Sequence, residues 1–426
     1  MILIFSNTVF ASASEDVANS SEGMIFLLAL IGIVLAAYLL THFVVERLQK
    51  RYLFVSGVEY LLLGMALSSF VLFQNQEAIM PVLVMSVGFF GILYGLDNPI
   101  KILLGTENSS LRLSLANFVF ISTGTTLLFS QILPLMTDCS TDLAWYCGAA
   151  LGCSAAASSA QSVDVIQERF DDVKTQMYDL LRQSIEFTNM MSALAFGVLL
   201  CVSHSLHSGS VDASASDLAW VTLVIGLGLG ILFSLFLDRE SDENSRFLAV
   251  TGITSLASGA AAFLMLSVLT VNYLLGLFLA YTKQVGDLKQ ALQSAERPMR
   301  LVLLVFAGML WTQVDLVKGS VCLLLFLLSR WIFQAVACWI ASMGTNLRFD
   351  VFRGLLAQGE ISLCIAISFR LLFEGEVVDL IYSSMLFSVV LNELIAPRFL
   401  RSLLVDAGDL RLEWSSSMSQ SNEEVQ

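Results

Sequence analysis

Glu186, Thr188 and Asn189 stand together in the stretch IEFTNMMSALAF, residues 185–196, inside a long apolar run. One helical turn puts Glu186 and Asn189 on the same face. A carboxylate can hold either a proton or a cation. An asparagine carbonyl can coordinate a cation but cannot carry the proton. Ionisable groups inside an apolar membrane segment are expensive and mark a function or a pairing. The pair therefore has the chemistry of a competitive proton and cation site. The plainer alternative is that Glu186 is tied to Arg182 or Arg330 and serves structure only.

Three further places carry chemistry. Arg330 lies in the middle of LLLFLLSRWIFQAVACW. A central arginine costs on the order of 3 kcal/mol to place in a bilayer, so it must turn inward and meet an acid or exposed carbonyls. The stretch CGAALGCSAAASSAQSVDVI is almost all small residues and holds Ser158 and Ser159, with Asp164 at its inner end. Asp164 is a candidate for an inner funnel. The stretch GLLAQGEISLCIAISF is interrupted by Gln358, Gly359 and Glu360. Both stretches are expected to break as helices. Discontinuous helices meeting near the midplane mark ion-coupled transporters built from inverted repeats. Tight packing of small residues without a cavity is the alternative.

The elements that must position these residues follow from composition. Of 426 residues, 56% are hydrophobic and 14% charged, with mean hydropathy +0.77. Soluble domains carry about 25% charged residues, so the chain is a polytopic membrane protein of all-α class. Apolar windows fall at 24–43, 53–74, 79–96, 113–134, 142–163, 183–203, 218–237, 246–266, 268–282, 300–315, 320–342, 354–373 and 379–397, about thirteen spans. The boundary between 246–266 and 268–282 is the least distinct. The two expected breaks fall in the fifth and twelfth spans. That odd separation makes them run in opposite directions, as an inverted repeat requires.

With the N-terminus outside, every basic residue except Lys318, Arg330 and Arg370 falls on the inner side. That is the positive-inside pattern, and it orients the chain N-out and C-in. Arg370, near an outer end, can snorkel to the headgroups. Residues 1–23 read as an extracytoplasmic leader, either a signal-like segment ending at Ala-Ser-Ala or a polar lead-in. Residues 24–405 form the membrane domain, and 406–426 an acidic, disordered cytoplasmic tail.

The net charge of −14 gives no footing for nucleic acid. Neither the seven cysteines nor His42, His204 and His207 have metal-ligand spacing, and the cysteines imply no disulfide framework. GLGLG at 226–230 lies mid-membrane, where Gly226 and Gly230 fit helix packing better than a nucleotide loop. No cofactor and no nucleophile–base pair is expected, so an intramembrane enzyme is not.

Five stretches together resemble the monovalent cation/proton antiporter superfamily, in its bacterial sodium/hydrogen exchanger and potassium-efflux branch. SGVEYLLLGMAL (56–67) resembles its early Glu-Tyr-Leu-Leu span, and VGFFGILYGLD (87–97) its Gly-rich third span. ALGCSAAASSAQSVDVIQER (150–169) resembles the unwound helix. GLFLAYTKQVGDLKQALQSAERPMRLVLLVFAGM (276–309) resembles the segment with a Glu-Pro-Phe-Lys-like turn. GLLAQGEISLCIA (354–366) with SVVLNELIAPRFL (388–400) resembles the Gln-Gly-Glu-Phe helix and the Glu-Leu-Ile-Gly-Pro ending.

The resemblance implies a thirteen-helix inverted-repeat antiporter fold with two crossed, discontinuous helices, a dimerisation domain and a mobile core. It also implies a homodimer in a bacterial inner membrane that exchanges Na+ or K+ for H+. Arg330 matches the family's core basic position. The sixth span departs from the pattern: Thr188-Asn189-Met190 stands where the family has Asp-Asp or Asn-Asp.

The expected site is therefore a relocated one. Glu186 is the proton or cation carboxylate, Asn189 a carbonyl ligand, and Thr188, Ser158 and Ser159 its neighbours. Arg330, Glu360 and Gln358 tune it. The alternative is a member that keeps the fold but has lost exchange, acting as a passive cation path, a sensor or a structural partner.

Overall fold

The computed structural model describes residues 57–68, 76–97, 108–164, 176–207, 214–237, 243–283, 285–344 and 347–407. The expected leader, the span at 24–43, His42 and the tail beyond residue 407 lie outside the described residues, as do the side chains of His204 and His207. Those described fold into helices: α1 Val58–Ser68, α2 Gln76–Asp97, α3 Asn108–Thr137, α4 Thr141–Ala156, α5 Gln176–His207, α6 Ala215–Leu237, α7 Glu243–Phe263, α8 Val268–Leu279, α9 Val285–Met309, α10 Leu316–Ser342, α11 Glu360–Leu372 and α12 Glu376–Asp406. A 3-10 helix, Phe349–Gly354, precedes α11. Six of the described helices are long and apolar enough to cross a membrane. The chain is a multi-pass membrane protein.

Local chemistry sets several helix starts. The Ser140 side chain accepts from Leu143 N at the start of α4. Ser267 caps α8 through Thr270 N, and Asp315 caps α10 through Val317 N. Each satisfies one of the free N–H groups of a first turn. The indistinct boundary near 267 is therefore a real one, made by a serine cap between α7 and α8.

Residues 285–300, expected as part of a basic inner loop, are instead the first half of α9. Leu288 and Leu292 are buried one turn apart on one face. The other face carries charge, which hides the helix from a hydropathy window while leaving its 3.6-residue period intact.

The helices pack as two groups. One joins α1, α2, α7, α8 and α9; the other joins α3, α4, α5, α10, α11 and α12. Helix α6 lies against α5, α7 and α8. Glycines allow the closest approaches. A Cβ on Gly276 of α8 would strike the Ile92 carbonyl, and one on Gly95 of α2 would lie 2.9 Å from Gly276 Cα. Gly64 and Gly308 meet in the same way between α1 and α9. Gly226 and Gly230 pack on Val271, Leu274 and Phe278 of α8, so GLGLG is a helix-packing device here.

Candidate functional site

Both small or polar stretches break where they were expected to. Helix α4 stops at Ala156, Ala157 is extended, residues 158–159 stay out of the helix, and a short helical turn resumes at Gln161. The 3-10 helix stops at Gly354, residues 355–359 leave the helix, and α11 starts at Glu360. The two non-helical pieces meet: Ser159 N donates to Ala357 O at 2.9 Å. A Cβ on Gly359 would sit 3.0 Å from Ser159 Cα, so glycine permits the close crossing.

Breaking two helices orphans several carbonyls in an apolar interior, where each needs a donor. Arg330 of α10 supplies them. It is fully buried. Its Nε donates to Ala155 O at 2.8 Å and its Nη1 to Leu356 O at 2.5 Å. Its Nη2 reaches Ala157 O and Leu355 O, each at 3.3 Å, and Ala357 O at 3.5 Å. Arginine is therefore held by carbonyls of both breaks, the second of the two partners expected for it. The carbonyl ends of α4 and the 3-10 helix carry partial negative charge and offset the buried cation.

Gln334, one turn on, donates to Leu355 O at 2.8 Å. Sequence reasoning missed it. The available signal was its position four residues after Arg330, on the same helix face.

Asn189 clamps the first break. Its Oδ1 accepts from Ser158 N and its Nδ2 donates to Ser158 O, both at 2.9 Å. The side-chain amide thus stands in for a strand partner. One lone pair on Oδ1 remains for another donor or a cation. Ser158 Oγ donates to Leu355 O at 2.9 Å, linking the breaks. Thr188 Oγ1 donates back to Ser184 O at 2.8 Å. Ser159 uses its N–H at the crossing and its carbonyl to accept from Ser162 Oγ at 2.8 Å.

Gln358 is buried and spans three elements. Its Nε2 donates to Ser154 O at 3.3 Å. Its Oε1 accepts from Ser388 Oγ at 2.5 Å and Asn392 Nδ2 at 2.9 Å. Asn392, in turn, accepts from Trp331 Nε1 at 3.0 Å. Gln358 belongs to this polar scaffold rather than beside Glu186.

The carboxylates lie to the sides of the crossing. Glu186 is paired with Arg182 Nε at 3.2 Å, and Arg182 Nη1 also holds Asp164 at 3.1 Å. Tyr178 OH donates to Asp164 Oδ1 at 2.6 Å. The Glu186 side chain is 15% exposed and that of Asp164 is 34% exposed, so the cluster grades from interior toward solvent. Asp97 and Lys289, paired at 2.6 Å, lie within electrostatic reach of Glu186.

Glu360 belongs to a separate set. Its Oε1 lies 2.8 Å from Arg300 Nε, and its Oε2 accepts from Tyr94 OH at 2.6 Å. As the first residue of α11 it also faces the positive end of that helix. The structure thus brings together Asn189, Ser158, Ser159, Arg330 and Gln358 at the crossing. Glu186 with Asp164, and Glu360, flank it.

Two broken helices crossing inside a two-group helical membrane bundle define the inverted-repeat antiporter fold. Solved structures give it a particular counterpart, the sodium proton antiporter MjNhaP1 from Methanocaldococcus jannaschii. Its structure at pH 8 matches with TM-score 0.63 and 15% identity over 89% of this chain and 97% of that chain. A second structure of it, by electron microscopy, matches with TM-score 0.58 and 15% identity over 91% and 98%. At that identity the likeness is one of fold. No family model matches the chain, and no curated protein matches it.

Proposed function

We propose that this chain exchanges a monovalent cation, Na+ or K+, for protons, with Glu186 as the carboxylate that binds one or the other. One observation carries the reading. Glu186 lies one turn from Asn189, which grips the first helix break, and Glu186 shares Arg182 with the more exposed Asp164. A cation arriving along Asp164 would compete with Arg182 for Glu186, and protonation of Glu186 would release it. The remaining lone pair of Asn189 Oδ1 is a second oxygen for the cation, and Thr188, Ser158 and Ser159 shape the space beside it. Arg330 and Gln358 keep the crossing open as backbone. One carboxylate favours one-for-one, electroneutral exchange. The setting is a homodimer in the lipid of a bacterial inner membrane, with the N-terminus outside and the C-terminus cytoplasmic. The fold shared with a sodium proton antiporter supports this reading.

A second reading has its own support. Met190 stands in the place of an expected aspartate, and the hydrogen bonds that Arg330 makes among the described residues go to backbone carbonyls. That favours a member of the fold without exchange, serving as a passive cation path, a sensor or a structural partner.

Proton flux in proteoliposomes separates the two. Under an imposed pH gradient, pulses of Na+ or K+ are expected to dissipate the gradient in the wild type and not in Glu186→Gln. Wild-type protein without cation-dependent flux at any pH tested would leave only the second reading. Equal flux in the variant would remove Glu186 from the role.

A further inference from the structure

One turn of α9 carries Glu296 and Arg300, paired with each other at 2.5 Å. Each also reaches across the seam to the other helix group. Gln161 Nε2 donates to Glu296 Oε1 at 2.7 Å, and Arg300 Nε lies 2.8 Å from Glu360 Oε1. Gln161 opens the turn that follows the first break, and Glu360 opens α11 after the second. Two neighbouring side chains of one helix therefore hold both broken spans just past their breaks. Tyr94 of α2 adds a contact from the same side, donating to Glu360 Oε2 at 2.6 Å.

The Arg300 and Glu360 side chains are 16% and 6% exposed, so water and salt screen their attraction only weakly. Yet Arg300 Nε makes no well-aligned hydrogen bond. The link is held by charge more than by a directed bond, and it loses less on sliding than a fork-to-fork pair would. Other hydrogen bonds across the seam are neutral, such as Thr270 Oγ1 to Ala193 O at 2.8 Å and Tyr382 OH to Ala307 O at 2.6 Å.

We propose that Glu296 and Arg300 form a clasp through which α9 fixes the crossing of the broken helices, and that this clasp opens when the two helix groups shift against each other. For what the opening serves, the proposal rests on the exchange reading. The clasp itself rests on the contacts.

Hydrogen–deuterium exchange on the full-length protein in lipid nanodiscs tests it. Arg300→Gln and Glu360→Gln are each expected to speed uptake in segments 157–163 and 355–361 about tenfold, as a local opening does. Uptake in α3 and α10 is expected to stay unchanged. The double variant should be no faster than the faster single one, because both changes remove the same link. Arg300→Lys keeps the charge and should fall between wild type and Arg300→Gln, which also serves if the glutamine variants do not fold. Unchanged uptake at both segments, additive effects, or faster uptake throughout the molecule would overturn the clasp. Flux in wild-type proteoliposomes is read separately. Its absence would sink exchange while leaving the clasp to the deuterium result.

Discussion

At the scale of single residues, the crossing depends on side chains that replace missing backbone partners. Arg330 does this for five carbonyls and Asn189 for the backbone N–H and carbonyl of Ser158. Arg330→Met should destabilise the protein by on the order of 3–5 kcal/mol, because carbonyls are left buried and unpaired. Denaturant unfolding in detergent measures this. Arg330→Lys should recover only part of the loss, since an ammonium has three donors and no planar fork. That Arg330 had to turn inward was legible from its place in an apolar span. Its partners were not, because acids and carbonyls are equally good acceptors on paper. Glu186 shows the same limit. Its spacing from Asn189 was readable, but the arginine it pairs with was left open between Arg182 and Arg330, and the fold selected Arg182.

Elements carry the second layer. The breaks were legible because their cause is local: Ser and Gly weaken a helix wherever they are placed, and small side chains leave room for backbone to cross backbone. The helical first half of α9 was masked by its charged face. Close helix contacts give a sharp test. Gly276→Ala places a methyl group against the Ile92 carbonyl and should cost about 1–3 kcal/mol. Gly252→Ala meets nothing within 4 Å and should be neutral or slightly stabilising; thermal melts of the two variants in detergent check both.

The loop before the second break has an acid sensitivity of its own. Arg348 donates to Asp350 through Nε and Nη2, each at 3.0 Å, and this holds the Asp350 carboxyl below its ordinary range despite its burial. A depressed native value stabilises the fold above the unfolded pKa of about 3.9. That contribution disappears as pH falls through the native value. Asp350→Asn should therefore be less stable than wild type at neutral pH, with the gap in melting temperature closing below about pH 4. A gap independent of pH would show that the ion pair does not matter.

At the scale of the whole molecule, orientation is the property to test. The basic residues assign Lys289 to the inner face and Lys318 to the outer one. Lys318→Cys should react with an impermeant maleimide added to intact cells, and Lys289→Cys only after permeabilisation. Six of the seven native cysteines are buried, so replacing Cys139 gives a quiet background. The reverse pattern would invert the topology and the direction of the proposed funnel.

The sequence by itself determined the membrane class, most helix positions, the two breaks and the departure at Thr188-Asn189-Met190. These follow from hydropathy, residue size and local backbone preference, which act over a turn or two. Only the tertiary structure decided the partners. Asn189 meets Ser158 across 31 residues, and Arg330 meets Ala155 across 175. Glu360 was drawn to Arg300 and Tyr94 rather than to the crossing. Such pairings are set by which helices pack side by side, and an isolated polar residue in an apolar span records the need for a partner without naming it.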